Sequence, residues 1–456
     1  MDAIIDYRGK TPKKTNSGIP LITAKIIKNG SIQSVNEFIA EEDYDSWMRR
    51  GIPESGDIVL TTEAPLGEVA QLDDRKIALA QRVITLRGKK GFLDNTFLKY
   101  LLLSNDVQHQ LDGRGTGTTV KGIKQSELRK IELPIPEYEV QKSIAHILST
   151  LDNKIQLNRQ TNQTLEKMAQ ALFKSWFVDF DPVIDNALAA GNPIPPELEK
   201  KAAQRAQVRA VAQASQAKPG AHPHHHTSEL PQHLRELFPS EFEHTEALGW
   251  VPKGWGVKAL DEIAHYQNGL ALQKFRPEDE EIFLPVLKIS HLKQGFTDGK
   301  EKASQNIKAS CIVDDGDVIF SWSASLMVDI WCGGKAALNQ HLFKVTSDDY
   351  PRWFYYSFTI HHLLEFQRIA SDKAVTMGHI KKEHLSQAKC VVPSLSFLDK
   401  IGKNIGAILD KQVLLRQESN ELAKLRDTLL PKLISGELRL PVAETDAPSL
   451  TDEASV

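Results

Sequence analysis

The sequence predicts an α+β protein: two mixed α/β bodies in tandem repeat, separated by two long helices that form an antiparallel coiled coil. Three observations carry this reading. The chain repeats itself at a period of about 260 residues. Each repeat ends in a long apolar stripe of 4-3 spacing, the mark of a coiled coil. Between stripes and linkers, short β-like runs alternate with isolated helical patterns.

The repeat is visible in order along both halves. Ile19-Pro20-Leu21-Ile22 with Gly30 corresponds to Leu284-Pro285-Val286-Leu287 with Gly295. Gly56-Asp57-Ile58-Val59 corresponds to Gly316-Asp317-Val318-Ile319, and Ala78-Leu79-Ala80-Gln81-Arg82-Val83 to Ala337-Leu338-Asn339-Gln340-His341-Leu342. Ile123-Lys124, leading to Leu128 and Pro136, corresponds to Ile380-Lys381, leading to Leu385 and Pro393. So long a period means a duplication and not a solenoid.

The first stripe places Ile144, Leu148, Leu151, Ile155, Leu165, Ala169, Leu172 and Trp176 on one seam, with Asn158 and Asn162 filling the remaining slots. The second places Ile401, Ile405, Ile408, Leu415, Leu422, Leu429 and Leu433 there, with Gln412, Ser419 and Arg426 in the gaps. Antiparallel pairing brings Asn158 and Asn162 near Leu415 and Ser419. Polar seam residues cost stability but fix register. Two amphipathic helices, each packed on its own body, are the plainer alternative.

Strands are expected at Ile58-Val59-Leu60, Val83-Ile84-Thr85-Leu86, Val318-Ile319-Phe320 and His341-Leu342-Phe343-Lys344-Val345. Helices are expected over Asn95–Leu103 and around residues 352–366. The boundaries are then 1–138 for the first body, 139–180 for its helix, 181–249 for a surface linker, 250–396 for the second body and 397–440 for its helix. The Pro-, Ala/Gln- and His-rich composition of 181–249 suggests the linker, and the acidic 441–456 suggests a disordered tail.

Composition narrows the function. Of 456 residues, 41% are apolar and 25% charged, as in ordinary globular proteins. The net charge of −3 argues against a uniformly basic coat protein but leaves room for a local basic patch. Three scattered cysteines (Cys311, Cys332, Cys390) fit a reducing compartment and offer no disulfide scaffold or four-ligand zinc site. There is neither a membrane-length apolar run nor a signal-peptide pattern, so the cytoplasm is the expected location. Gly117 and Gly122 have Walker A spacing, but Ile123 stands where the phosphate-binding lysine belongs. Asn192-Pro193-Ile194-Pro195-Pro196 only superficially resembles an amino-methyltransferase loop, because Ile194 interrupts it and no aromatic follows. His222, His224, His225 and His226 sit in a Pro/Gly-rich stretch without nearby carboxylates, so no metal site is expected.

What remains are basic, small-polar clusters. Arg8, Lys10, Lys13 and Lys14, with Thr11, lie on a segment whose Gly9 and Pro12 favour a loop. Arg114, Thr116, Thr118, Thr119, Lys121 and Lys124 share a glycine-rich stretch that brings backbone N–H, hydroxyl and ammonium groups near phosphates. The second half has a weaker counterpart in Thr376, Lys381 and Lys382, to which Ser321, Ser323 and Lys335 are added. Charged members are expected to hold phosphates and polar ones to read base edges. Both bodies come out near neutral, so this requires positive charge segregated to one face.

Taken together, these residues resemble a specificity (S) subunit of a type I restriction–modification system. The likeness covers nearly the whole chain. It rests on Tyr7-Arg8-Gly9-Lys10-Thr11-Pro12, Gly56-Asp57-Ile58-Val59, Leu133-Pro134-Ile135-Pro136 with Glu139-Val140-Gln141, and Leu151-Asp152-Asn153-Lys154-Ile155. It continues through Leu172-Phe173-Lys174-Ser175-Trp176-Phe177-Val178-Asp179-Phe180-Asp181-Pro182 and Leu248-Gly249-Trp250-Val251-Pro252. Phe320-Ser321-Trp322-Ser323, Leu338-Asn339-Gln340-His341 and Leu429-Leu430-Pro431-Lys432-Leu433-Ile434-Ser435-Gly436 complete it.

The resemblance implies two target-recognition domains, each reading half of a bipartite site in double-stranded DNA, and a coiled coil that sets their spacing. It implies a non-catalytic subunit without cofactor. Methyltransferase (M) subunits would supply S-adenosylmethionine chemistry, and restriction (R) subunits ATP- and Mg-dependent cleavage. A stand-alone sequence-specific DNA-binding protein without M or R partners is the alternative. One departure stands out: Gly254-Trp255-Gly256-Val257-Lys258-Ala259-Leu260-Asp261-Glu262-Ile263 has no equivalent in the first half, so either the start codon is misplaced or the first domain is expected to lack an edge element.

Overall fold

The computed structural model describes residues 1–7, 11–117, 120–216, 230–372 and 378–440. Arg8, Lys10, Thr118, Thr119, Thr376, the histidine cluster at 222–226 and the acidic tail lie outside these residues. The chain divides into two compact units, residues 1–156 with 421–456, and residues 157–420. The first long helix, Tyr138–Phe173, and the second, Leu395–Ile434, are each continuous and contribute to both units.

Unit 1 contains β1 (Ala3–Asp6), β2 (Ile19–Ile22), β3 (Phe38–Ile39), β4 (Ile58–Thr62), β5 (Leu66–Gln71), β6 (Ala78–Leu79) and β7 (Val83–Arg87). They form an antiparallel sheet of order β1-β7-β4-β5 and a small sheet of order β3-β2-β6. The central strand β4 is buried on both faces, which is why it reads as an unbroken apolar run and not as an alternation. Ile58 and Leu60 face α1 (Asn95–Leu103), α2 (Asn105–Arg114) and the long-helix residues Ile144, Leu148 and Leu433. Val59 faces the small sheet through Leu21, Ile22 and Leu79.

The Gly-Asp motif starts this strand. Gly56 turns the chain at φ +85°. Buried Asp57 accepts from the Glu54 N–H at 2.8 Å and from Arg87 Nε on β7 at 2.8 Å, joining turn to sheet. Asp94 caps α1 through the Phe97 N–H at 2.8 Å. Fully buried Gln141, at the start of the first long helix, accepts from the Asp94 N–H at 3.0 Å and donates to the Phe92 and Pro136 carbonyls. The Leu-Pro-Ile-Pro…Gln motif is thus a clamp between α1 and that helix.

Unit 2 repeats the plan with β8 (His265–Asn268), β9 (Phe283–Leu287), β10 (Lys302–Ser304), β11 (Ile312–Val313), β12 (Val318–Ser321), β13 (Met327–Ile330), β14 (Ala336–Leu338) and β15 (Leu342–Thr346). Its sheets have order β8-β15-β12-β13 and β10-β9-β14-β11. Asp317 accepts from the Asp314 N–H at 2.7 Å and pairs with Lys344 on β15 at 2.7 Å, as Asp57 does with Arg87. Unit 2 also has a ribbon of Gly256–Ala259 with Lys389–Val392. Among the described residues, the corresponding stretch 131–136 of unit 1 has no strand partner.

Much of the segment expected to be a surface linker is folded. Two helices, α3 (Asp181–Ala190) and α4 (Pro196–Gln216), pack together. Val183, Ile184 and Ala187 are buried, and Asn186 donates to the Arg235 and Phe238 carbonyls at 2.9 Å. α4, which lacks an apolar stripe, buries Ala202 and is tied down by ion pairs: Arg205 bonds Asp185, and Lys201 reaches Asp179 at 2.6 Å. The Trp-Phe-Val-Asp-Phe run turns through Lys174–Val178 into an aromatic core. There Phe177 packs 5.7 Å from the rings of Trp255 and Trp353, and Phe173 meets Phe358 edge-on at 4.8 Å.

Within each unit the long helices run antiparallel. In unit 1, Ile144 and Leu148 share a core with Leu433, while further along Asp152 pairs with Arg426 at 2.7 Å. In unit 2, Asn158 donates to Glu418 at 2.7 Å, and Gln412 donates to Glu166 at 3.2 Å. Asn158, Gln412 and Arg426 thus find partners on the opposite helix, whereas the Ser419 hydroxyl turns back to its own helix at the Leu415 carbonyl and the buried Asn162 Oδ1 has no partner among the described residues. Ile155, Ile401, Ile405 and Leu415 are buried, while Leu151, Leu165, Leu422 and Leu429 are half-buried. Two seam positions shift by one residue: Leu409 and Phe173 are buried where Ile408 and Leu172 are only half so. Both shifts face the aromatic core, so packing onto the body competes with packing along the seam.

Asp152 anchors the unit 1 pairing. Lys99 at 3.0 Å, the Tyr100 hydroxyl at 2.7 Å and Arg426 share its carboxylate. Burial raises its pKa, but Lys99, Arg426 and Tyr100 outweigh burial and hold it below the ordinary carboxylate value. Asp152→Asn is expected to destabilise unit 1 by about 3 kcal/mol by stranding two half-buried cations. In the parent, this contribution is intact above the ordinary value of about 3.9 and is lost as pH falls through the lower folded value. Equal urea midpoints for parent and variant at pH 7 would count against the anchor.

The second long helix carries Gly402 and Gly406 against Trp353 of α5 (Arg352–Asp372). A Cβ at Gly402 would lie 2.5 Å from the indole Nε1, whereas one at Gly406 would make an ordinary contact at 3.5 Å. Gly→Ala in a helix gains about 1 kcal/mol, and overpacking costs about 1–3 kcal/mol. Gly406→Ala should therefore raise the thermal midpoint and Gly402→Ala lower it; the same sign for both would refute the close approach.

Candidate nucleic-acid interface

In unit 1 the turn after β4 and the glycine-rich stretch after α2 are stitched by backbone. The Ile123 N–H donates to the Thr62 carbonyl at 2.9 Å, and Thr116 and Gly122 exchange hydrogen bonds at 2.8 and 2.9 Å. Gly117 is required there: at φ +120° a Cβ would lie 2.2 Å from the Val120 carbonyl oxygen. With the turn entering β7, these segments enclose a cleft of about 470 Å³ containing Thr62, Glu63, Gln81, Arg82, Thr116 and Lys124. An adjoining hollow of about 370 Å³ adds Arg114 and Glu127.

The expected residues of the first body separate into two groups. Arg114, Thr116 and Lys124 converge on the cleft and hollow. Lys121, nearby on the same stretch, pairs with Asp112 at 2.6 Å. Thr11, Lys13 and Lys14 do not join them. They are exposed, and Lys14 pairs with Glu37 at 2.8 Å beside β3, across the small sheet from the β6 edge that feeds the cleft. Arg114 lies 3.9 Å from Glu127, whose carboxyl is held below its ordinary range, first by the hydrogen bond from Lys130. Such exposed pairs are worth little, so a phosphate can compete for the cation.

Unit 2 builds the same frame. The Ile380 N–H donates to the Trp322 carbonyl at 3.1 Å, and Ser323 bridges His379 as Glu63 bridges Gly122. Ala64 and Ala324 occupy the same left-handed position, at φ +54° and +56°. Gln340 and His341 enter β15 where Gln81 and Arg82 enter β7. Lys381 and Lys382 are exposed at the start of Lys382–Gln387, and Lys381 lies 3.6 Å from Glu383. Lys335 is exposed at the far end of β14 from Asn339, away from this frame.

Two serines require correction. Ser321 lies on the doubly buried β12 and is fully enclosed, its hydroxyl donating to the Ser323 carbonyl at 3.2 Å. It cannot reach a base. Ser323 is 5% exposed and its Oγ lies 3.1 Å from His341 Nδ1, so it can act only through that ring. Conversely, Glu63, Gln81, Arg82, Trp322, Gln340, His341 and His379 were not among the expected contacts. The repeat alignment already paired Gln81-Arg82 with Gln340-His341; the signal was a shared frame carrying different side chains.

Among the described residues no cluster of His, Cys, Asp and Glu could hold a metal, and no helix is long and apolar enough to cross a membrane.

Known proteins match this architecture. Residues 4–167 and 252–424 match the family described as type I restriction modification DNA specificity domain. The chain is 28% identical over 359 residues to the type I restriction enzyme HindI specificity subunit of Haemophilus influenzae, covering 75% of this chain and 77% of that one. It is 25% identical over 434 residues to the MjaIX specificity subunit of Methanocaldococcus jannaschii, covering 92% and 87%. The crystal structure of a type I S subunit from M. genitalium shares the fold at TM-score 0.50 and 14% identity, covering 94% and 93%. The chain belongs to the type I restriction–modification DNA specificity family.

Proposed function

We propose that this family member is the DNA specificity subunit of a type I restriction–modification complex, with each unit reading one half of a bipartite duplex site. The observation that carries this is the duplicated cleft frame: one backbone solution, built twice, holding different polar side chains. Duplication of a frame with divergence of its contents is what two readers of different short sequences need. In this reading the chain is not itself catalytic. M subunits contribute S-adenosylmethionine-dependent methylation, and R subunits ATP- and Mg-dependent cleavage. The two long helices, of 36 and 40 residues and so about 54 and 60 Å long, set the spacer between half-sites.

Methylome sequencing of the host with and without the gene tests the function. A bipartite methylated motif should vanish on deletion, and persistence of every motif would refute it. Inserting one helical turn into both long helices should lengthen the nonspecific spacer; an unchanged spacer would remove the helices from that role. Arg82→Ala with Lys124→Ala should weaken duplex binding and reduce its log–log salt slope by up to about 2. A slope equal to the parent's would place both cations outside the interface.

A further inference from the structure

The two frames share a backbone but not a chemistry. In unit 1, Arg82 lies 3.7 Å from Glu63, a charged pair at the mouth of the cleft. In unit 2 the equivalent positions are His341 and Ser323, and with Gln340 they form a hydrogen-bonded chain. The amide nitrogen of Gln340 lies 3.3 Å from His341 Nε2, and the other ring nitrogen, Nδ1, lies 3.1 Å from Ser323 Oγ. The His341 backbone N–H is held by Asn339 Oδ1 at 3.2 Å. Trp322 covers the ring, its centroid 6.0 Å from that of His341, and its own N–H is taken by Asn268 at 3.1 Å.

This chain fixes what Gln340 can present. With its amide nitrogen donating, His341 Nε2 is the acceptor, so the ring hydrogen sits on Nδ1 and is donated to Ser323 Oγ. One amide hydrogen of Gln340 is thereby used. The second N–H and Oε1 have no partner among the described residues. A coplanar donor beside an acceptor matches the major-groove edge of adenine, where N7 accepts and the N6 amino group donates. Guanine offers two acceptors on that edge and cannot satisfy both groups. Gln81 in unit 1 has no imidazole to orient it in this way, because Arg82 replaces it.

We propose that Gln340 reads an adenine in the half-site bound by unit 2, with His341 and Ser323 as positioning residues that fix its amide. The proposal rests on the DNA-specificity reading above. Its test is selection from a random duplex pool by the purified full-length chain with its methyltransferase subunits, followed by sequencing.

The parent should select a two-part motif. Gln340→Ala should lower adenine enrichment about tenfold at one position of one part and leave the other part intact. Gln340→Glu, which can only accept, should move that position toward cytosine, whose N4 amino group donates. His341→Phe should weaken the same position alone, which a merely structural role would not do. A parental motif from both Gln340 variants would overturn the proposal, and so would loss of both parts together, which assigns Gln340 to folding. A parent that selects no motif would instead overturn the specificity reading on which the proposal stands.

Discussion

Each unit depends on a strand that is buried on both faces. In β4, Ile58 and Leu60 go one way and Val59 the other; in β12, Val318 and Phe320 oppose Ile319. A strand sandwiched in this way leaves its sheet no solvent face, so helices must cover one side and a second sheet the other. Just past the same strand comes the left-handed Ala64 or Ala324, where the chain bends into the frame shared by the two units. The core thus dictates where the cleft lies, and the side chains on its rim are left to vary.

The Gly-Asp start of that strand shows how few polar groups the arrangement needs. One carboxylate closes a turn and binds a cation on the neighbouring strand, in unit 1 an arginine and in unit 2 a lysine. Ser321 and Ser323 illustrate the converse. A hydroxyl inside such a core is used internally, and its influence on a ligand passes through a neighbour.

The long helices follow a different economy. Their seam mixes leucine and isoleucine with asparagine, glutamine and arginine, and Asn158, Gln412 and Arg426 find opposite-helix partners within their units, while Asn162 Oδ1 is left without one among the described residues. Burying a polar group without a partner costs free energy, so these cross-helix bonds offset most of what the polar slots would otherwise cost the pairing. Asp152, with three donors around it, sets the pairing in unit 1, and Gln412 and Asn158 set it in unit 2. The Gly402–Trp353 contact adds a second demand on the same helix, and this moves the buried stripe from Ile408 to Leu409.

Periodicity and repetition determined by themselves that the chain is a duplicated α/β protein with two long paired helices. They placed β4, β7, β12, β15, α1 and α5, because doubly buried strands and 3.5-residue stripes are local patterns that survive in one dimension. The sequence also marked the stretch from Arg114 to Lys124 as a candidate, and the structure gathers Arg114, Thr116 and Lys124 of it around the cleft and hollow. Tertiary structure alone decided which cations meet there. Lys14 and Lys335 lie near cleft elements in the chain but at the wrong end of a sheet or strand. It also decided that residues 181–216 fold, since α3 buries Val183, Ile184 and Ala187 while α4 is tied down by the ion pairs of Asp185 and Asp179 without a readable apolar stripe. It brought Gln340, His341 and Ser323 into one chain, because a hydrogen bond across two strands depends on register, and register is not written in composition or spacing.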